Sequence, residues 1–231
     1  MTEAPIILAR GLTRVYRLGD TEVTGLAGID LSVPRGALVV LKGVSGSGKS
    51  TLLSLLAGLD RPSAGRLEVA GRNLAEAGEG DLTRFRREVV GMVFQNFNLL
   101  PTLNVLDNVC LPALLADRPR VGFLQRAEEL LAWLGMGHRR RHFPAQLSGG
   151  EMQRTAIARA LINDPEIILA DEPTGNLDSR NGRAVVALLA DLNRQLQRTV
   201  IVATHSTIAD RVATREICLA DGAIVDGPCT N

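Results

Sequence analysis

Nine residues, 43–51, read Gly-Val-Ser-Gly-Ser-Gly-Lys-Ser-Thr and restrict the possible folds of this chain more than any other stretch. They fit the pattern Gly-x-x-x-x-Gly-Lys-[Ser/Thr], with Gly43, Gly48, Lys49 and Ser50 in the required places. Such a pattern carries weight only between a strand and a helix. Residues 37–41 form a short apolar run suited to a buried parallel strand, and residues 52–57 are good helix formers. Glycines let backbone N–H groups turn inward, and a helix N-terminus adds partial positive charge, so the stretch predicts an anion cradle. A Gly/Ser linker would not have apolar segments against both of its ends. The candidate phosphate-binding residues are Gly43, Ser45, Gly46, Ser47, Gly48, Lys49, Ser50 and Thr51, with Lys49 directed at β- and γ-phosphates and the Ser50 hydroxyl at Mg²⁺.

The remaining bounds are broader. A chain of 231 residues suits one α/β domain with a lobe. Lys plus Arg number 26 against 25 Asp plus Glu, a formal charge of +1, so no overall electrostatic case for nucleic acid exists. Cys110, Cys218 and Cys229 are far apart and lack metal-ligand spacing, which predicts reduced thiols. Glu3 comes early, no basic-then-apolar leader precedes it, and no apolar run reaches bilayer length. Any membrane role is expected to come through a partner.

Residues 6–9, 23–26 and 29–33 alternate with turn residues and predict a small β unit feeding the phosphate-loop strand. A strand at 66–69, a short helix within 73–88 and a buried strand at 89–94 follow. Texture changes at Gln95. Residues 95–165 predict a mainly helical insertion, including an amphipathic helix at 124–135 and a helix beginning at Ser148. The core then resumes with a strand at 167–170, a helix at 182–195, a strand at 200–203 and a hairpin around Asp221 and Gly222. The expected organisation is one domain over 1–231, with its core in 1–94 and 166–231 and its helical subdomain in about 95–165.

Two further stretches carry chemistry. Asp171 and Glu172 follow a four-residue apolar strand, where an acid beside a phosphate loop can hold Mg²⁺ and its neighbour can polarise water. Residues 147–154 read Leu-Ser-Gly-Gly-Glu-Met-Gln-Arg, with Ser148 as helix N-cap and two glycines that permit close backbone approach. This is a second anion-binding helix N-terminus in one chain. The stretch resembles the signature of ATP-binding-cassette (ABC) ATPases, and nearly the whole chain resembles the nucleotide-binding subunit of such transporters.

The resemblance implies a P-loop NTPase (RecA-like) α/β fold: a parallel-sheet core, an N-terminal antiparallel β subdomain and an inserted α-helical subdomain. It implies ATP and Mg²⁺ as cofactors. It also implies a head-to-tail homodimer in which Ser148, Gly149 and Gly150 of one subunit face the γ-phosphate of ATP held by the other. Tyr16 resembles the aromatic that stacks on adenine, and Gln95 the glutamine that contacts Mg²⁺ and reports to a transmembrane permease. Asp171 resembles the Mg²⁺-site acid and Glu172 the catalytic base. Asp178, in the loop of Asn176 and Leu177, resembles the coupling loop across the dimer, and His205 the switch histidine. Residues 174–178 and 97–101 resemble the lipoprotein-release and macrolide-export branch, whose partners often transmit force. A cell-division ATPase acting on a membrane partner without transport is the alternative. Either implies a peripheral place at the cytoplasmic face of the inner membrane. The basic run at 138–142 reads as a solvated face.

Overall fold

The computed structural model describes residues 4–116 and 119–225. The chain opens with two long antiparallel strands, β1 (Ile7–Leu18) and β2 (Thr21–Val33), then β3 (Leu38–Lys42) and helix α1 (Lys49–Leu56). Next come β4 (Ala64–Val69), the short β5 (Arg72–Asn73), α2 (Glu79–Glu88) and β6 (Val90–Val93). Three helices follow: α3 (Val105–Leu114), α4 (Arg120–Trp133) and α5 (Gly149–Leu161). The chain ends with β7 (Ile167–Asp171), α6 (Ser179–Leu196), β8 (Thr199–Ala203), β9 (Arg215–Ala220) and β10 (Ala223–Val225).

These strands make two sheets. The first is antiparallel, in the order β2-β1-β4-β5, and the second runs β10-β9-β3-β8-β7-β6 with parallel pairing from β9 through β6. The apolar runs of the central strands alternate between two separate cores. Val39, Leu41, Leu169 and Ile201 pack with α1, α2 and the antiparallel sheet, whereas Leu38, Val40, Ile168 and Val202 pack beneath α3, α4, α5 and α6. A strand covered on both faces has to be apolar on both, which is why these segments read as unbroken hydrophobic runs.

The two short apolar pieces expected at 23–26 and 29–33 belong to one strand, and β1 runs well past residue 9 with register shifts on the way. Tyr16 therefore lies on β1. Helix α3 carries Pro112 in its interior. Its first amides are satisfied from outside the helix: Val105 N donates to His142 O at 2.9 Å and Leu106 N to Arg140 O at 3.0 Å. Cys110 is buried, but Cys218 is disulfide-bonded, contrary to the expectation of reduced thiols; Cys229 lies outside the described residues. No helix among the described residues is long and apolar enough to cross a membrane.

Candidate functional site

Four neighbouring strands of the central sheet end at one edge, and each delivers a candidate residue there. Leu41 pairs with Ala203, and Ala203 with Asp171, so β3, β8 and β7 stop level with one another. The phosphate loop leaves β3, His205 follows β8, Asp171 and Glu172 end β7, and Gln95 lies two residues past β6. The carboxyl edge of a parallel sheet is where α/β folds bind ligands, because loops and helix N-termini converge on it.

Within the loop, two glycines are demanded by contact as well as by dihedral angle. Gly43 has φ +149°, and a Cβ there would sit 2.2 Å from Leu219 O; Gly48 has φ +103°, and a Cβ would sit 2.6 Å from Gly25 O. Lys49 is buried and its Nζ donates to Gly43 O at 2.7 Å and Val44 O at 3.0 Å. An ammonium held by two loop carbonyls can exchange them for phosphate oxygens at little cost, since both are good acceptors. Ser47 Oγ is buried without a partner inside the same loop. Ser45, Gly46 and Ser50 are exposed, and Thr51 lies beside Tyr16 across Gly25.

Two more buried oxygens without partners are Asp171 Oδ1 and Glu172 Oε2. Burial raises the Asp171 carboxyl above its ordinary value and Glu172 adds to the rise, while a hydrogen bond to Ser50 and the charge of Lys49 oppose it. Glu172 Oε1 lies 3.0 Å from His205 Nδ1, and the Glu172 backbone is in the left-handed region at φ 45°. Its amide donates to Ala203 O at 2.8 Å, which fixes the turn that aims the carboxylate. Orphaned polar atoms in a buried site cost free energy unless something completes them. A polyphosphate with a divalent cation fits this donor set: loop amides, an ammonium, a serine hydroxyl and a carboxylate.

Tyr16 is held on two sides. Its hydroxyl donates to Asp60 Oδ2 at 2.9 Å, and the Arg14 guanidinium stacks 4.5 Å from the ring centroid. Gln95 is exposed, and its amide packs so close to Gly175 that a Cβ there would be 2.7 Å away. Asn176 Nδ2 donates to Gln95 O at 3.0 Å, joining the Gln95 segment to the loop that ends in Asp178. Asp178 caps α6: Oδ1 accepts from the amides of Arg180 and Asn181, each at 2.9 Å, and these amide bonds with Asn181's side chain lower its pKa.

The signature packs against the Asp178 segment. Ser148 caps α5, and its neighbours are the Asp178 segment: a Cβ on Gly149 would be 3.1 Å from Leu177, and one on Gly150 2.8 Å from Asn181. The Ser148 side chain and amide are engaged with Glu151 of the same helix. One chain thus carries two helix N-termini, capped at Gly48 and Ser148, with different neighbours.

Sequence reasoning passed over Arg159 and Asn108. Phe97 and Asn98 are consecutive left-handed residues, with φ 58° and 49°, and Arg159 donates to both of their carbonyls, that of Phe97 at 2.8 Å. A guanidinium fork matches two adjacent carbonyls, but nothing in the local sequence announces that pairing. The basic run is largely the solvated face expected, with His138 exposed as well, but it has a second role. Arg140 and Arg141 are exposed, yet the run's backbone caps α3 and Arg139 Nε donates to Glu151 of the signature at 2.8 Å.

Comparison with known proteins agrees with this geometry. A family model described as ABC transporter matches residues 26–175. The macrolide export ATP-binding/permease protein MacB of Sodalis glossinidius is 48% identical over 221 residues, 96% of this chain and 34% of that protein. MacB of Marinobacter nauticus is 46% identical over 226 residues, 98% of this chain and 35% of that protein. The chain therefore spans about a third of the length of these relatives. An uncharacterized ABC transporter ATP-binding protein of Methanocaldococcus jannaschii, MJ1508, is 44% identical and covered along 98% of its length, with 96% of this chain. Among solved structures, the dimeric post-hydrolysis state of the ATP-binding cassette MJ0796 with ADP and Pi superposes with a TM-score of 0.87 at 39% identity, covering 94% of this chain and 96% of that one. Family model, relatives and fold agree: this chain is a member of the ABC transporter family.

Proposed function

We propose that this chain is the ATP-hydrolysing subunit of an ABC transporter complex. In this reading it closes head-to-tail on a second copy around ATP and Mg²⁺ and drives a conformational change in a membrane partner of the macrolide-export or lipoprotein-release type. The observation that carries the reading is the convergence of Ser47, Lys49, Asp171 and Glu172, three of them with unpartnered buried oxygens, at one sheet edge. The dimeric state of the similar MJ0796 cassette supports the dimer. The MacB relatives support an export role and a membrane-bound partner, with this chain peripheral on the cytoplasmic face.

In this mechanism Tyr16 stacks on the base, while the amides of 43–51 and the Lys49 ammonium hold the phosphates. Ser50, Asp171 and Gln95 would hold Mg²⁺, which would neutralise phosphate charge during transfer. Glu172 accepts a proton from the attacking water through the oxygen that has no partner. His205, already on the other oxygen of Glu172, holds the γ-phosphate and keeps the carboxylate oriented. Ser148 and the amides of Gly149 and Gly150 face the γ-phosphate of the other subunit, and Asp178 links the two sites. Residues 95–165 move as the lobe that carries the output. An amphipathic groove near Gln95, about 640 Å³ and lined by Met92, Phe94, Pro112 and Leu115, suits a permease segment.

Glu172→Gln tests the chemistry. ATP binding should persist while turnover falls by about 10²–10⁴-fold, as expected on removing a general base, and the ATP-bound dimer should accumulate. Hydrolysis near the parent rate would remove Glu172 from the role given to it.

A further inference from the structure

The basic run at 138–142 has one member whose side chain reaches the signature. Arg139 is half-buried and its Nε meets Glu151 Oε1 at 2.8 Å, while its Nη1 lies 3.1 Å from His142 Nε2. The other oxygen of Glu151 accepts both the Ser148 amide and the Ser148 hydroxyl, each at 2.8 Å. Glu151 N in turn approaches Ser148 Oγ at 3.4 Å, closing a reciprocal cap on α5. The single hydroxyl proton of Ser148 is therefore directed at a carboxylate, and that carboxylate occupies the helix end that must receive a phosphate. Two anions at one helix N-terminus repel unless one of them is neutralised.

We propose that Arg139 is a positioning residue for the signature: it fixes the Glu151 carboxylate against Ser148 and cancels its charge where the partner's γ-phosphate docks. The proposal rests on the head-to-tail dimer described above. The bonds from Ser148 and Arg139 also hold the Glu151 carboxyl at a pKa of about 2, so it is ionised wherever the protein works and its charge needs an answer. Gln is the other residue that completes such a cap, and it carries no charge. Arg139 thus becomes dispensable for docking once Glu151 is replaced by Gln. A residue that merely held the 137–142 turn in place would gain nothing from that exchange.

The test uses the full chain with Glu172→Gln, so that ATP traps the dimer, and follows dimerisation by sedimentation over a range of protein concentrations. Arg139→Ala should weaken the ATP-driven dimer by about two- to fivefold per site, hence about four- to twenty-five-fold for two sites. ATP affinity of the dilute monomer should not change, and Arg139→Lys should keep most of the dimer. Adding Glu151→Gln to Arg139→Ala should restore dimerisation to the level of Glu151→Gln alone. The proposal is overturned if Arg139→Ala dimerises like its parent, or stays equally weak with Glu or Gln at 151. Should Arg139→Ala fail to fold, Arg139→Gln keeps a donor to Glu151 without the charge and must show the same defect and the same rescue. No ATP-driven dimer in the parent itself would bring down the head-to-tail reading, and the role of Arg139 with it.

Discussion

Replacing Asn108 by Ala removes a fully buried amide that ties residues 100–104 to helix α3. Its Oδ1 accepts Leu100 N at 2.8 Å, and its Nδ2 donates to Leu100 O at 3.1 Å, Leu103 O at 2.9 Å and Asn104 O at 3.0 Å. Two of those carbonyls keep another donor after truncation: Leu103 N lies 3.1 Å from Leu100 O, and Asn108 N lies 2.9 Å from Asn104 O. The groups left without a partner are the Leu100 amide and the Leu103 carbonyl. An unsatisfied buried group costs about 1–3 kcal/mol, and Leu100 recovers some hydration at the surface, so the sum is about 2–4 kcal/mol. Urea unfolding monitored by circular dichroism should show that loss as a lower midpoint with an unchanged slope. Hydrogen exchange at the Leu100 amide should accelerate with it. Asn108→Asp, which keeps only acceptors, should be worse than Ala, because a carboxylate would face three carbonyls. A loss below about 1 kcal/mol for Asn108→Ala would show that the segment finds other partners, and the reasoning would fail.

Other consequences can be checked in parallel. Arg159→Lys should cost about 1.5–3 kcal/mol in chemical denaturation, since an ammonium cannot match both carbonyls as the fork does. Tyr16→Ala should weaken ATP binding roughly tenfold in calorimetric titration while leaving inorganic tripolyphosphate unaffected, because only base stacking is lost. An equal loss for both ligands would take Tyr16 out of the base site. The Glu151 carboxyl, held at about 2 by its Ser148 and Arg139 bonds against an ordinary 4.5, stabilises the fold fully above 4.5 and loses that contribution as pH falls toward 2. Stability of Glu151→Gln should therefore fall less steeply than the parent's across that window, and parallel curves would contradict the assignment.

The parts of the site that were legible in the sequence are those where one local pattern serves one local purpose. The run 43–51 has to be glycine-rich because Leu219 O and Gly25 O crowd two of its positions, so its pattern survives in plain text. The apolar run before Asp171 is explicit because a strand buried on both faces permits nothing else. What could not be read depends on residues far apart in the chain. Arg159 bonds carbonyls about sixty positions away, and the two backbone carbonyls that cap α3 come from a run whose composition suggests only solvent. Asn108 looks like an ordinary polar residue on an amphipathic helix until its four partners are seen. The merging of two expected strands into β2 has a similar cause: Gly28, at φ +63°, sits within a strand that a turn residue was expected to break.

The level ends of β3, β8 and β7 also determine where the molecule can bend. Each of these strands is laced to its neighbours by backbone hydrogen bonds, so no one of them shifts alone without tearing a ladder. Beyond the end of neighbouring β6, Phe97 and Asn98 are two adjacent L-residues in the left-handed region. A left-handed setting costs about 1–2 kcal/mol for a residue such as Phe97 and less for Asn98. That energy is returned if the joint swings toward an ordinary conformation. In the structure the Arg159 guanidinium, donating to both carbonyls, holds the segment in that setting against a stiff frame.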